Sequence, residues 1–303
     1  MIGINMLTFP FMQVDAFTDR PLMGNSCAIV FEADDLDDKT MLAIAREMNL
    51  SETAFVLRSA VADFSARYFT PAEEIPLAGH PTIATVFALV ETGRLKLTGN
   101  HTTITLELRV GPIQVDIQAR QGIAELIIMS QKRPQFLAVY NPSDILPVFG
   151  LAAEDALPGI PIQTVSTGTP QLMVPLRDLE ALRRARIDVE AYTDLRASAD
   201  FFSPHLFCLN GITERGRTFA RHFGTPPDAM EDPFTGSATG GMAAYLWHYG
   251  LIESATFIAE QGHWMDRPGR AVVEIVGARD NIETVRVGGS AVTVLRGELV
   301  LPA

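Results

Sequence analysis

The chain has 303 residues, 47% hydrophobic and 20% charged, the composition of an ordinary soluble globular protein, and its length suggests about two domains. A formal net charge of −12 argues against nucleic acid or an anionic membrane surface as the main partner. The two cysteines, Cys27 and Cys208, form no disulfide framework and fit a reducing, cytoplasmic setting, and no run approaches the roughly 20 apolar residues of a membrane span.

The N-terminus, Met1 to Val14, is apolar but lacks a basic leading region and runs straight into Asp15, so it reads as a short extension before a strand and not as a signal peptide. The spacing predicts a first strand over Gln13–Phe17, turn chemistry at Asp19-Arg20-Pro21 and Gly24-Asn25, and a buried strand over Ser26–Phe31. Acids over Asp34–Asp38 precede a helix whose apolar positions Met41, Leu42, Ala45 and Met48 recur at helical spacing up to Asn49. Ser51–Leu57 and Asp63–Phe69 read as strands, and Thr82–Thr92 as the first major helix, closed by Gly93. A hairpin follows over His101–Val110 and Ile113–Ile117, then a strand over Ala124–Ser130. Breaks at Pro134, Pro142 and Pro147 place the domain boundary near there, giving lobes at 1–130 and 131–290, with the final strand near 291–303 returning to the first.

In the second half, Pro142–Phe149 is a short helix, and Ile162–Thr167 and Gln171–Pro175 are strand-like. Asp178–Arg186 and Asp188–Ser198 carry helical patterns, Phe201–Asn210 and Arg217–Phe223 are strands, and Ala238–Tyr249 is the second major helix, closed by Gly250. Thr256–Gln261, Ala271–Val276, Thr284–Gly288 and Ala291–Leu301 complete the chain as β-structure.

An offset of 157 residues lays the first major helix on the second without a gap, bringing together Glu74/Glu231, Pro76/Pro233, Gly79/Gly236, Thr82/Thr239, Leu89/Leu246 and Gly93/Gly250. These are turn and helix-punctuation residues, so the match predicts two related halves, each a strand, a tight Pro/Gly turn and a helix. Ile83–Val90 and Met242–Trp247 have almost no polar face, and a helix apolar all round is a buried helix. The expected fold is therefore α+β, with each half a curved sheet rolled around a central helix. A doubly wound parallel fold would need several amphipathic helices between strands.

Each buried helix opens on a glycine-containing turn, and its first amides have no intrahelical partner and carry the positive end of the macrodipole. The starts at Gly79 and Gly236, with Gly240 and Gly241 nearby, could hold a carboxylate; equally, the glycines could only close tight turns. Glu52 lies between Leu50 and Ala54-Phe55, where desolvation would raise its pKa and suit it to acid and base work, unless it is a solvated glutamate at a strand entrance. His80 and Asp232 flank the two helix starts, as ligand-orienting groups or as a cap and a turn residue. Ser237 could donate to an anion or merely cap. Cys27 and Cys208 raise the possibility of a two-thiol racemase, but both sit in apolar strand runs that favour core packing. The six histidines lack metal-ligand spacing, and no phosphate-cradling glycine motif supports a nucleotide cofactor.

Taken in order, Val14-Asp15-Ala16-Phe17, Gly24-Asn25, Asn49-Leu50-Ser51-Glu52-Thr53, Phe69-Thr70-Pro71, Ala78-Gly79-His80-Pro81-Thr82, Asp232-Pro233-Phe234-Thr235-Gly236-Ser237-Ala238, Gln261-Gly262 with Arg267-Pro268, and Val287-Gly288-Gly289 form a recognisable set. With them the chain resembles the PhzF-like phenazine-biosynthesis family, relatives of diaminopimelate epimerase, over nearly its whole length. The resemblance implies two pseudo-symmetric lobes with the active site between them, cofactor-free isomerisation, and commonly a homodimer. It also implies that Glu52 is the acid/base glutamate, that His80 and Asp232 are its supporting polar residues, and that Gly236 and Ser237 form the helix start that holds the substrate carboxylate. The epimerase relatives carry a cysteine before the glycine at each helix start; here those positions are Ala78 and Thr235, which removes two-cysteine racemisation in its known form. Ser26 stands where the family usually has proline, and Asp266 where glycine is usual. The expected activity is a cofactor-independent isomerase that moves a proton within a small carboxylate. The alternatives are an epimerase or racemase of an amino-acid-like substrate, or a non-catalytic binding protein for small acids.

Overall fold

The structure, a computed structural model, describes residues 6–225 and 228–302. The N-terminal extension expected from the sequence falls partly on residues 1–5, outside that range, and the first strand already begins at Met6. The fold is α+β and dominated by β-structure. Its contacts divide it into two compact units, one running to Met129 and resuming at Gly289, the other covering Ser130–Gly288.

The first unit contains β1 (Met6–Ala16), β2 (Asn25–Val30), α1 (Asp38–Met48), β3 (Glu52–Leu57), β4 (Phe64–Phe69), the two-residue β5 (Glu74–Ile75), α2 (Gly79–Glu91), β6 (His101–Leu108), β7 (Gly111–Arg120) and β8 (Ile123–Ser130). The Asp37 side chain caps α1 by accepting from the Thr40 amide, and Asn49 ends it in the left-handed region at φ 50°. Its buried Met41, Ile44 and Ala45 join Phe9, Val30, Phe55 and Phe69 in one apolar cluster. Along β6, buried Thr102, Ile104, Leu106 and Leu108 alternate with more exposed residues, the period of a half-buried strand. Helix α2 is buried continuously from Gly79 to Leu89 and packs against β1, β2 and β3.

The second unit contains β9 (Gln135–Tyr140), α3 (Pro142–Ile145), β10 (Ile162–Ser166), β11 (Pro170–Pro175), α4 (Leu179–Arg184), α5 (Val189–Ser198), β12 (Ser203–Cys208), β13 (Thr218–Phe223), β14 (Glu231–Asp232), α6 (Gly236–His248), β15 (Thr256–Gln261), β16 (Gly269–Ala278) and β17 (Asn281–Gly289). The last strand, β18 (Ala291–Pro302), pairs antiparallel with β1 of the first unit along its whole length.

The two units repeat one connectivity. In the first, β2 and β3 are parallel across α1, β3 and β4 antiparallel, and β4 pairs antiparallel with β5 and parallel with β6 across α2. In the second, β11 and β12 are parallel across α4 and α5, β12 and β13 antiparallel, and β13 pairs antiparallel with β14 and parallel with β15 across α6. The offset of 157 holds residue for residue: β5 maps onto β14 and α2 onto α6, end to end. Each repeat also fixes its short strand by the same forked ion pair. The Arg67 guanidinium donates to both Glu74 oxygens at 2.8 Å, and Arg221 donates to both Glu231 oxygens at 2.8 and 2.7 Å. These pairs explain why both glutamates recur in the sequence echo: each holds the turn that leads into a buried helix.

Both major helices begin earlier than their apolar runs suggested, at Gly79 instead of Thr82 and at Gly236 instead of Ala238. Pro81 is no obstacle, because a first-turn residue has no intrahelical use for an N–H. Strand β9 is a second difference: it lies in the stretch that the prolines had marked as broken. Pro134 precedes it and Pro142 sits in the first turn of α3, so the prolines flank the strand and do not interrupt it.

Candidate active site

Glu52 opens β3, paired in parallel register with Cys27. Phe55, three residues on, packs into the α1 cluster, so strand alternation turns Glu52 towards the α2 side. His80 is the second residue of α2 and is 3% exposed, while the Glu52 side chain is 16% exposed. Glu52 Oε2 lies 3.2 Å from His80 Nδ1, and the Asn25 side-chain amide lies 3.0 Å from the same nitrogen, the ring tautomer setting which partner it serves. Asn25 is presented by the turn at Gly24, whose φ is +61° and where a Cβ would overlap the Ala16 carbonyl.

Burial lowers the His80 pKa to about 3, against a smaller opposing effect from the Ser26 backbone, so the ring is neutral at physiological pH. A neutral imidazole facing a carboxyl group serves both of its protonation states. With the proton on Nδ1, ionised Glu52 accepts; with Nδ1 bare, protonated Glu52 donates. Because the folded pKa is depressed, the unfolded chain takes up a proton near pH 6.5 that the folded chain refuses until about pH 3. The His80 contribution to stability is therefore complete above pH 6.5 and falls as pH is lowered through that window. Imidazole ¹⁵N spectra should show His80 neutral at pH 5 in the folded protein; an imidazolium signal at that pH would refute the buried, neutral assignment.

The starts of α2 and α6 differ from those of α1, α4 and α5. Asp37, Asp178 and Asp188 cap α1, α4 and α5 through their side chains. Neither Ala78 before α2 nor Thr235 before α6 supplies a side-chain cap. Thr235 has a hydroxyl, but it donates to Asp232 Oδ2 at 2.5 Å instead. Gln261, 1% exposed, fixes that arrangement: its Oε1 accepts from the Thr235 amide at 3.2 Å and its Nε2 donates to the Asp232 carbonyl at 2.7 Å. The first turn of α6 thus keeps the N–H groups of Gly236, Ser237 and Ala238 without intrahelical acceptors, at the positive end of a 13-residue helix. The α2 start has fewer, since Pro81 carries no N–H.

The structure therefore gathers Glu52, His80 and Gly79 in the first unit, and Asp232, Gly236 and Ser237 in the second. The sequence reading quoted Asn25, Thr235 and Gln261 only as motif residues and gave them no role at the site. A buried Asn after a turn glycine, and a Thr at an N-cap three residues after an acid, were the available signals. Cys27 and Cys208 are buried; burial pushes both thiols up, Cys208 to about 11, and Cys208 belongs to an apolar cluster with Leu206 and Phe219. Of the two family departures, Ser26 Oγ accepts from Gln13 Nε2 at 2.8 Å, and Asp266 occupies the left-handed region at φ 56°, which Asp tolerates better than most residues.

Comparison with known proteins gives a consistent result. Residues 14–297 match the PhzC-PhzF family, described as phenazine biosynthesis-like protein. The chain is 33% identical over 283 residues to a Bacillus subtilis protein named uncharacterized isomerase YfhB, covering 93% of this chain and 95% of that one. It is 34% identical over 296 residues to the trans-2,3-dihydro-3-hydroxyanthranilate isomerase of Pseudomonas chlororaphis, covering 96% and 99%. The crystal structure of a PhzF-family phenazine biosynthesis protein from Bacillus anthracis superposes with a TM-score of 0.86 at 32% identity, covering 97% of this chain and all of that one.

Proposed function

The chain belongs to the PhzC-PhzF family and is an isomerase, and we propose that it moves a proton between two carbons of one small carboxylate substrate, without a cofactor, using Glu52 as both base and acid. The observation that carries this reading is the 3.2 Å contact between Glu52 and neutral His80. It places a neutral imidazole nitrogen beside the carboxyl group, where one tautomer answers ionised Glu52 and the other answers protonated Glu52, which suits a single residue acting in both directions. The substrate carboxylate rests on the uncapped start of α6, at Gly236 and Ser237, where free amides and the helix dipole stabilise the charge that builds up when the proton leaves carbon. Gly79 offers a second, smaller set of amides beside His80. Asp232, tied to Thr235, holds the turn before α6 and keeps the Thr235 hydroxyl away from those amides. The name of the Pseudomonas relative supports the substrate class: its substrate is a carboxylic acid on a partly unsaturated ring, in which conjugation acidifies a C–H bond.

The test is turnover of trans-2,3-dihydro-3-hydroxyanthranilate and related unsaturated acids by the purified chain in heavy water. Isomerised product carrying deuterium at the newly protonated carbon, with no added nucleotide or metal, is the expected result. The label appears in proportion to how fast Glu52 exchanges its proton between the two steps. Binding of these acids without any isomerisation, or turnover that begins only when a cofactor is supplied, would overturn the reading.

A further inference from the structure

One buried amide in the second unit lies against α6. Gln131 is 6% exposed. Its Nε2 donates to the Gly236 carbonyl at 2.9 Å, and its Oε1 accepts from the Thr167 hydroxyl at 2.5 Å. Its backbone is held as well: the Gln131 amide donates to the Val285 carbonyl at 2.9 Å, and the Thr284 hydroxyl donates to the Gln131 carbonyl at 2.6 Å. The Gly236 carbonyl can only accept, so the N–H end of the amide faces the helix and its oxygen faces the Thr167 hydroxyl.

The side chain reaches the helix only because residue 240 is glycine; a Cβ there would overlap the Gln131 amide. A glycine inside a helix weakens it relative to alanine, so the notch has a cost that packing alone would not favour. At the matching position of α2, an offset of 157 earlier, the residue is Ile83, which is buried in the core.

The Gly236 carbonyl and the Ser237 N–H belong to one planar peptide unit. A donor placed on the oxygen fixes the plane, and with it the direction of the N–H at the opposite edge. It also draws electron density towards the oxygen and makes that N–H a stronger donor, as hydrogen bonds in a chain polarise one another. We propose that Gln131, admitted by Gly240, is a positioning residue that aims and polarises the Ser237 N–H towards a bound carboxylate. This rests on the reading of the α6 start as the carboxylate seat. Gln131 touches no reacting atom; it acts through the peptide.

Amide NMR of the full chain, titrated with acetate as the probe, separates this proposal from the reading beneath it. Gln131→Met fills similar volume without a donor, and Gln131→Glu keeps an acceptor for Thr167 without one. In both, the Ser237 ¹⁵N resonance should shift in the absence of any ligand, and acetate should bind about fivefold more weakly. Gly240→Ala, which displaces Gln131, should show the same loss; added to Gln131→Ala it should cost nothing further, because the notch is then empty. A role in packing alone would leave Gln131→Met like wild type. Wild-type affinity and an unmoved Ser237 resonance in Gln131→Met, with Gly236→Val unable to bind, would overturn the positioning role and leave the seat intact. Should acetate fail to perturb Gly236–Ala238 in the wild type, the seat itself is wrong, and the ligand-free Ser237 shift still decides what Gln131 does. If Gln131→Met does not fold, Gly240→Ala decides in its place, with undiminished acetate affinity counting against the proposal.

Discussion

Glu52→Gln should isomerise its substrate at least about 10²–10⁴-fold more slowly than the wild type while still binding it. The amide has the shape and the hydrogen-bonding capacity of the acid, and it can still face His80 Nδ1, which lies 3.2 Å from Glu52 Oε2. It cannot take a proton from carbon. Glu52→Asp tests position separately. It keeps the carboxylate but withdraws it by one methylene, and a displacement of about 1 Å can cost roughly a hundredfold. Because His80 is buried and rigidly placed by α2, it cannot follow the shortened side chain. Both variants should melt near the wild-type temperature, since a polar group remains at a partly exposed position. Single-turnover and binding measurements together read the result: lost turnover with retained affinity assigns Glu52 to the chemical step. Full activity in Glu52→Gln would place the base elsewhere.

What the sequence disclosed and what it hid follow from which physical signals are local. The two buried helices were legible because an unbroken apolar surface is visible in the residues of the helix itself. The repeat was legible because its residues, Glu74/Glu231 and Gly79/Gly236 among them, punctuate turns and helix ends within a few positions of each other. The reason those glutamates recur was not legible, because Arg67 and Arg221 meet them only once β4 and β13 have paired with the short strands. Short strands such as β5, Glu74–Ile75, and β14, Glu231–Asp232, leave no periodicity to detect. Strand β9 was hidden for a different reason: prolines on both sides gave the segment the appearance of a linker.

Within the candidate site the division is similar. Glu52, His80 and Asp232 stood out by residue type and by place in the motif set. The residues that hold them come from distant segments. Asn25 meets His80 across 55 positions, and Gln261 meets Thr235 across 26. No spacing rule connects residues that far apart, and only the pairing of strands brings them together. The missing caps are a subtler case. Thr235 looks like an N-cap in the sequence, and only the bond to Asp232 reveals that its hydroxyl is engaged elsewhere.

That diverted hydroxyl supports the expectation for Gly236→Val, which should lose carboxylate affinity by at least about a hundredfold while the protein remains folded. A helix start binds an anion through short contacts to its first N–H groups, and those contacts need the ligand to approach the backbone closely. Glycine at the first position of α6 leaves that approach open. Valine places two methyl groups on the Cβ and has little rotamer freedom to move them aside. The loss should exceed that of a single hydrogen bond, because the branched side chain covers the whole set of donors at once. Gly236→Ala should fall between wild type and valine, since one methyl obstructs less and cannot reach across the turn. Helix propensity works in the opposite direction: both replacements remove a glycine from a helix, so a fall in affinity cannot be ascribed to a weakened helix. Calorimetry with the substrate acid, run beside thermal melts, supplies both readouts. A folded Gly236→Val that binds the acid as the wild type does would mean that the carboxylate rests elsewhere, and that the open amides of α6 serve no ligand.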